Sequence, residues 1–430
     1  MARAKKIPLI TDFNHIPAES LVPEEEQPYP VPDHWKWVRL GATVKNITVK
    51  TESFDAADKY LGLEDLNTGG GILRISDTHD IKSAKTVFQY GDVLYGKLRP
   101  YLNKHAVASF SGVCSTDILA LRPEKVIDAT YLDFWLSTPF FINAAITNSK
   151  GVNLPRVSFN SIAQYPFPLP PLEEQKQIVA YLDEKLGKID SVRDKLQDFL
   201  DHAAQRKDNL IEAGVTGHLT SHWREEHNAH LNDWQLKQIS DLGEVVTGST
   251  PSTKNPEYYG GQIPFVKPAD LDTGRYIKSA QSFLSQAGAK VSRMLPAKTV
   301  AVCCIGSLGK CGLIEVPAAT NQQINSIIPR SGTHAVYLYY LCSSPKFKAA
   351  MIEKSSSTTL SILNKSRFSK LEFSIPTMSE QEEIARILDE QLERAEKTDK
   401  LVTEVLERLD TMKQQIVSAA LAGRLSLQVS

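Results

Sequence analysis

The stretch Tyr95-Gly96-Lys97-Leu98-Arg99-Pro100-Tyr101-Leu102-Asn103-Lys104-His105 packs three basic residues, two tyrosines and a glycine into eleven positions. Lys and Arg in such company suit contact with phosphate oxygens, while Arg, Asn and Ser reach base edges. Tyr95, Lys97, Arg99, Tyr101 and Lys104 are therefore candidate nucleic-acid contacts. A second set follows later: Lys254 and Tyr258 within Pro251–Gly261, Lys267 within Phe265–Asp270, and Ser307 with Lys310 in Ile305–Lys310. For any single one of these residues a solvated basic loop reads equally well.

Catalytic readings find less support. Gly306-Ser307-Leu308-Gly309-Lys310-Cys311 superficially looks like a phosphate loop but lacks the four-residue spacing before Gly-Lys and the Ser/Thr that would hold magnesium. Asn255-Pro256-Glu257-Tyr258 is similar to the Asn/Asp-Pro-Pro-Tyr/Phe tetrapeptide of amino-directed DNA methyltransferases. Glu257 replaces its second proline, however, and no Gly-rich cofactor loop follows a strand elsewhere. No Ser/His/Asp or Cys/His set stands out. His218, His222, His227 and His230 cluster in a polar linker without a cysteine or paired acidic ligand at metal-binding spacing. The five cysteines show no CxxC spacing and read as reduced, buried thiols. The sequence thus assigns this chain no catalytic residue, cofactor or metal.

Across 430 residues the chain is 42% hydrophobic and 23% charged, an ordinary soluble composition with room for two or three domains. No run approaches 18 apolar residues, and Met1–Lys6 leads into no signal-peptide core, so a cytoplasmic chain without a membrane partner is expected. The net charge of −1 argues against a polyanionic partner until it is counted by segment. Residues 1–33 hold 3 basic and 6 acidic side chains (−3), and 34–165 hold 15 and 12 (+3). Then 166–230 hold 8 and 12 (−4), 231–372 hold 16 and 9 (+7), and 373–430 hold 7 and 11 (−4). Positive charge is confined to two segments, and local field decides where a polyanion docks.

What must position those segments is a duplicated element. Phe167-Pro168-Leu169-Pro170-Pro171-Leu172-Glu173-Glu174-Gln175 returns 206 positions later as Phe373-Ser374-Ile375-Pro376-Thr377-Met378-Ser379-Glu380-Gln381. At the far end Thr216-Gly217-His218-Leu219-Thr220 matches Ala422-Gly423-Arg424-Leu425-Ser426 at the same offset, so the span between is conserved in length. Leu182, Ile189, Leu196, Ala203 and Leu210 recur by seven, interleaved with Val179, Leu186 and Leu200, and with Arg193 and Lys207 as polar entries. The second copy reads Leu388, Ala395, Val402, Leu409 and Ile416, interleaved with Ala385, Leu392 and Leu406, with Asp399 and Lys413 in the polar slots. This period of 3.5 predicts two helices of about 40 residues, roughly 60 Å each, whose stripes are buried against one another. Antiparallel pairing is expected, because parallel pairing would bring both preceding domains to one end.

The predicted organisation is a flexible, Pro/Glu-rich arm (1–32), a first α+β domain (33–165), a first helix with linker (166–231), a second α+β domain (232–371) and a second helix (372–430). Both domains open on a Trp before an apolar–polar alternation, Trp35 and Trp234, the pattern of a sheet edge. Strand-like runs include Asp92–Tyr95, Ile118–Leu121, Val300–Cys303 and Ile324–Ile328; short helices start near Pro139 and Pro345.

Taken together, the paired Pro168–Gln175 and Ile375–Gln381 motifs, the closing Gly217 and Gly423, Gly96–Leu102 and Ala319–Ile324 resemble the specificity (S) subunit of Type I restriction–modification systems. The likeness runs over nearly the whole chain from about Asp33. It implies two target recognition domains, each reading half of an asymmetric split site in double-stranded DNA, separated by helices that recruit two methyltransferase (M) subunits and, through them, restriction (R) subunits. S-adenosylmethionine, ATP and Mg would sit on those partners, leaving this chain a non-catalytic recognition subunit. Other readings are an adaptor for a fused methylase–nuclease of another restriction type, a chain that itself methylates or cleaves, and a coiled-coil scaffold indifferent to DNA.

Overall fold

The computed structural model describes residues 7–55, 58–79, 81, 83–151, 153–272, 274–356 and 361–424; the first six residues of the expected arm and Leu425-Ser426 of the second closing motif lie outside them. Contacts divide the chain into two units, residues 1–196 with 404–430 and residues 197–403. The two long helices are therefore not domains of their own, since each begins in one unit and ends in the other.

In the first unit β1 (Val44–Ile47), β2 (Val93–Gly96), β3 (His105–Val107) and β4 (Ile118–Pro123) form an antiparallel sheet in the order β1-β4-β2-β3. The central runs are continuously apolar because both faces are covered. Val93, Tyr95, Leu119 and Leu121 pack with Trp135 and Phe141, while Leu94, Ile118 and Ala120 pack with Phe88 on the opposite side. This is the period-2 alternation of a strand buried twice. A smaller sheet of Lys50–Thr51, Lys85–Phe88, Gly112–Cys114 and Tyr60–Leu61 supplies the Phe88 layer. Asp128 caps α1 (Ala129–Leu136) by accepting from the Thr130 and Tyr131 amides at 2.9 and 3.0 Å. A two-stranded ribbon, Lys36–Arg39 against Pro166–Leu169, then leads into α2 (Leu172–Asp201). Pro166 and Pro168 fit there because a ribbon strand has a free edge.

The expected flexible arm is instead part of this unit. Ile10, Ser20 and Val22 are buried at 0, 0 and 4% exposure, the Ile10 amide donates to Ala42 O at 2.8 Å, and the Val22 amide to Trp37 O at 3.0 Å. A few apolar residues spaced without period still anchor a segment when a preformed core offers them a place.

The second unit contains α3 (Ala203–Val215), β5 (Gly243–Thr247), β6 (Tyr276–Ile277), β7 (Thr299–Cys303), β8 (Cys311–Ile314), β9 (Ile324–Pro329) and α4 (Ala335–Ser343), and begins α5 (Met378–Leu421). Its sheet runs β5-β9-β7-β8-β6, with β6 parallel to β8 and the rest antiparallel. Gln235–Gln238 pairs with Glu372–Ile375 as the counterpart ribbon. Both helix copies end alike. The His218 amide donates to Ala213 O at 2.9 Å and the Arg424 amide to Ala419 O at 3.0 Å, over left-handed glycines at φ 81° for Gly217 and 68° for Gly423.

Within each unit the helix segments run antiparallel. In the first, Lys413 Nζ lies 2.6 Å from Asp190 and Arg193 Nε 3.3 Å from Asp410; in the second, Arg206 Nη2 lies 2.7 Å from Asp399. The polar entries at Arg193, Asp399 and Lys413 are thus ion-paired across the seam. One helix departs from expectation: α5 is continuous, but the first copy is interrupted at His202. There the Arg206 guanidinium donates to Phe199 O, lies 3.6 Å from the Phe199 ring centre and engages Asp399, while His202 Nδ1 sits 2.7 Å from Asp198 O. Side chains bonding to the carbonyls of the preceding turn deform a helix at that point.

Candidate nucleic-acid interface

The first candidate loop follows β2. Its backbone is unusual for residues with side chains, since Arg99 and Asn103 are left-handed at φ 50° and 43°, flanking a 3-10 turn at Pro100–Leu102. Non-glycine residues held this way need support from outside the loop. It comes from the segment after the second short helix (Pro139–Thr147), where Pro155 O accepts from the Arg99 amide at 2.8 Å and the Val157 amide donates to Lys97 O at 3.0 Å. The same segment contributes Arg156, whose Nη2 is 2.5 Å from Asp117 Oδ1. Leu98, Asp117, Lys150, Leu154 and Arg156 bound a cleft of about 770 Å³.

Of the five residues singled out here, Arg99 and Tyr101 are exposed. Lys97 is half-buried and donates from Nζ to Thr116 O at 2.6 Å, and desolvation draws its ammonium below the ordinary lysine range against the opposing pull of Asp117. Lys104 donates to Leu63 O at 2.7 Å. Tyr95 does not belong to the set. It is 0% exposed, with its ring 5.3 Å from that of Phe141, because residues 93 and 95 of the strand share the core face. Lys150 and Arg156 escaped the sequence reading. Their signal was two cations in a Gly/Asn/Pro turn, Lys150-Gly151-Val152-Asn153-Leu154-Pro155-Arg156.

In the second unit Ile305–Lys310 follows β7 as the first loop follows β2, with Gly306 and Gly309 at φ 80° and 84°. Ser307 is exposed, and Lys310 Nζ lies 2.6 Å from Asp272. The Gly306 amide donates to Ser361 O at 3.0 Å and the Leu363 amide to Cys304 O at 2.8 Å, repeating the support seen in the first unit. Lys254 and Tyr258 lie on another loop, tied by Thr250 Oγ1 donating to Gln322 at 2.5 Å. Lys254 is exposed, and Tyr258 is half-buried. Lys267 is occupied internally, donating to Ser282 Oγ at 2.8 Å. Asn255 accepts from the Glu257 amide at 3.3 Å, so the methyltransferase-like tetrapeptide is a capped turn. Among the described residues no group of three or more His, Cys, Asp or Glu is placed to hold a metal, and no helix is long and apolar enough to cross a membrane.

Two mixed α/β units, each with a loop after the equivalent strand held by the same kind of backbone support, define a duplicated protein. The family model of the Type I restriction modification DNA specificity domain matches twice, over residues 36–198 and 232–407, and the chain belongs to that family. Specificity subunits are the non-catalytic DNA-recognition component of Type I restriction systems. The Type I restriction enzyme HindI specificity subunit of Haemophilus influenzae is 27% identical over 418 residues, covering 80% of this chain and 90% of that protein. The MjaIX specificity subunit of Methanocaldococcus jannaschii is 33% identical over 180 residues, 40% of this chain and 42% of its own. In fold, the chain is similar to the HsdS subunit from Thermoanaerobacter tengcongensis, at a TM-score of 0.65 and 20% identity over 93% of this chain and 100% of that one. A chain from a structure of a type I R-M system, solved for its assembly and conformational transition, gives a TM-score of 0.70 at the same identity and coverage.

Proposed function

We propose that this chain is the sequence-reading subunit of a Type I restriction–modification complex in the cytoplasm. Recognition domains at 33–165 and 232–371 each bind one half of a bipartite, asymmetric site in double-stranded DNA. The helix pair sets the number of undefined bases between the halves and docks two methyltransferase subunits, through which restriction subunits join. S-adenosylmethionine, ATP and Mg reside on those partners.

The observation that carries this reading is the repeated loop. Arg99 and Tyr101 in one unit and Ser307 in the other are exposed at equivalent places after equivalent strands, inside the two segments of net charge +3 and +7. Arg99, Lys150 and Arg156 join Lys97 around one edge of the first unit, a mixture that grips phosphate and reaches base edges. Of the candidate contacts, Arg99, Tyr101, Lys254 and Ser307 are exposed, whereas Lys97, Lys104, Lys267 and Lys310 also bond within the fold.

Mapping methylated adenines in DNA from cells carrying the chain and its partner subunits tests the proposal. Two short defined blocks separated by a fixed run of undefined bases are expected. A contiguous palindrome, or no methylation dependent on this chain, overturns it.

A further inference from the structure

The internal repeat makes each unit a control for the other. In the second unit Arg275, on the segment that enters β6, pairs with both oxygens of Asp389 on α5. Its guanidinium lies 4.2 Å from the ring centre of Tyr276 and 5.5 Å from that of Tyr340. The Tyr340 hydroxyl donates to Asp389 Oδ1 at 2.5 Å. Cation, aromatic faces and carboxylate form one complete set.

Moved back 206 positions, Asp389 becomes Asp183, Tyr340 becomes Phe134 and Arg275 becomes Gly69. Both stretches run beside the equivalent strand. The Gly71 amide donates to His105 O on β3 at 2.7 Å, and the Arg275 carbonyl accepts from Leu313 on β8, the counterpart of β3, at 2.8 Å. With glycines where the arginine would be, the first unit has a cavity of about 660 Å³ walled by Gly69, Phe134, Asp183 and Asn103.

Three aspartates line this cavity, and two are engaged: Asp133 with His105 Nδ1 at 2.7 Å and Asp190 with Lys413 at 2.6 Å. Asp183 has no hydrogen bond or ion pair among the described residues. Partial desolvation, and after it the charge of Asp128, raises its carboxyl above the usual range. Two further polar atoms in the wall, Asn103 Oδ1 and His105 Nε2, are buried without a partner, on residues 4% and 2% exposed. Buried acceptors left unmade are costly, so a wall that keeps them invites a donor.

We propose that this cavity is a guanidinium site, taking from outside the cation that the second unit supplies from its own loop. Asp183 receives the charge, the Phe134 ring offers the flat face, and Asn103 accepts a remaining N–H. Three carboxylates against one lysine exclude phosphate from the cavity itself, although Tyr101 of the candidate DNA loop forms part of its rim. The group arrives either on an arginine of a partner protein or as a small free cation.

Agmatine titrated calorimetrically into the full chain tests the chemistry. Saturable one-to-one binding is expected, weakened at least tenfold by Asp183→Asn, which should melt as the parent does, and unchanged by Asp389→Asn, which loses the Arg275 pair and should melt lower. No saturation, or equal binding by Asp183→Asn, overturns the proposal whatever the chain recognises. Repeating the titration on the complex assembled with methyltransferase subunits identifies the source. Loss of agmatine binding there assigns the site to a partner's arginine, and retention assigns it to a free guanidinium, each in keeping with the proposal. This second arm alone rests on the function proposed above.

Discussion

Gln175 and Gln381, 206 residues apart, hold the same three hydrogen bonds. Gln175 Oε1 accepts from the Asp128 amide at 2.9 Å, and its Nε2 donates to Val126 O and Pro170 O, both at 2.9 Å. Gln381 Oε1 accepts from the His334 amide at 2.8 Å, and its Nε2 donates to Gly332 O at 3.1 Å and Pro376 O at 3.0 Å. Every partner is displaced by the same 206 positions. One buried amide thus fastens the start of a long helix to the start of α1 or α4, fixing the angle at which each helix leaves its domain.

Replacing either glutamine by alanine strands one amide and two carbonyls away from water. At about 1–3 kcal/mol for a buried group left unsatisfied, partly relieved by relaxation, each variant should lose roughly 3 kcal/mol. Denaturant unfolding of Gln175→Ala and Gln381→Ala should give similar losses; a loss well under 1 kcal/mol at either site would contradict the shared role.

A second anchor has no copy among the described residues of the first unit. Glu380, 2% exposed, accepts from Arg224 Nη1 at 2.6 Å, Thr220 Oγ1 at 2.8 Å and Trp234 Nε1 at 2.8 Å, whereas Glu174 has His34 at 2.8 Å and is 25% exposed. Arg224→Ala leaves a buried carboxylate without its cation, at a cost of about 3–5 kcal/mol. His34→Ala should cost under about 1 kcal/mol, as exposed pairs do. Thermal melts of the two variants check the contrast, and comparable losses would refute it.

Much of this architecture could be read from residue order, because from β2 onward the repeat keeps one offset. Val93-Leu94-Tyr95 and Ile118–Leu121 announced strands, and the heptads announced helices. The same pattern, applied to position 95, would have turned Tyr95 inward, and mixed composition hid that. Ile10 and Val22 are buried through contacts with Ala42 and Trp37 that no local pattern announces. Arg156 and Arg275 likewise reach their places through long-range closure, Arg156 beside Asp117 and Arg275 beside Asp389.

The thiols should be inert in the folded chain. Burial pushes Cys114 and Cys304 up to about 12 from an ordinary 9.0. At pH 8 the reactive thiolate is then about one part in ten thousand. Ellman's reagent should label neither until the chain is denatured, and fast labelling of the native protein would be the contrary result. The folded thiols keep protons that unfolded ones release, so their contribution to stability is full below about pH 9 and falls as pH rises from 9.0 toward about 12.

On DNA, Arg99 and Tyr95 should behave oppositely. Arg99→Ala removes an exposed cation and should weaken binding of one half-site by about 1–3 kcal/mol, with relaxed base choice if it reads a base, or a salt slope smaller by about 1 if it grips phosphate. Tyr95→Phe removes a buried hydroxyl that has no partner and should leave binding unchanged. Titrations at several salt concentrations separate the cases, and an unaltered Arg99→Ala isotherm would remove the loop from the interface.

The length of the helices carries the last expectation. Within each unit the seam is antiparallel and ion-paired, so adding residues to one helix alone would break the Arg206–Asp399 or Asp190–Lys413 register. One heptad inserted after Leu200 and one after Leu406 keeps both helices on their faces and lengthens each by about 10 Å. With duplex rising about 3.4 Å per base pair, the undefined run should grow by about three bases while the defined blocks stay the same. Methylation mapping reads both at once. A spacer that does not move would mean that helix length has no part in measuring DNA, and changed blocks would mean that the recognition surfaces were disturbed instead.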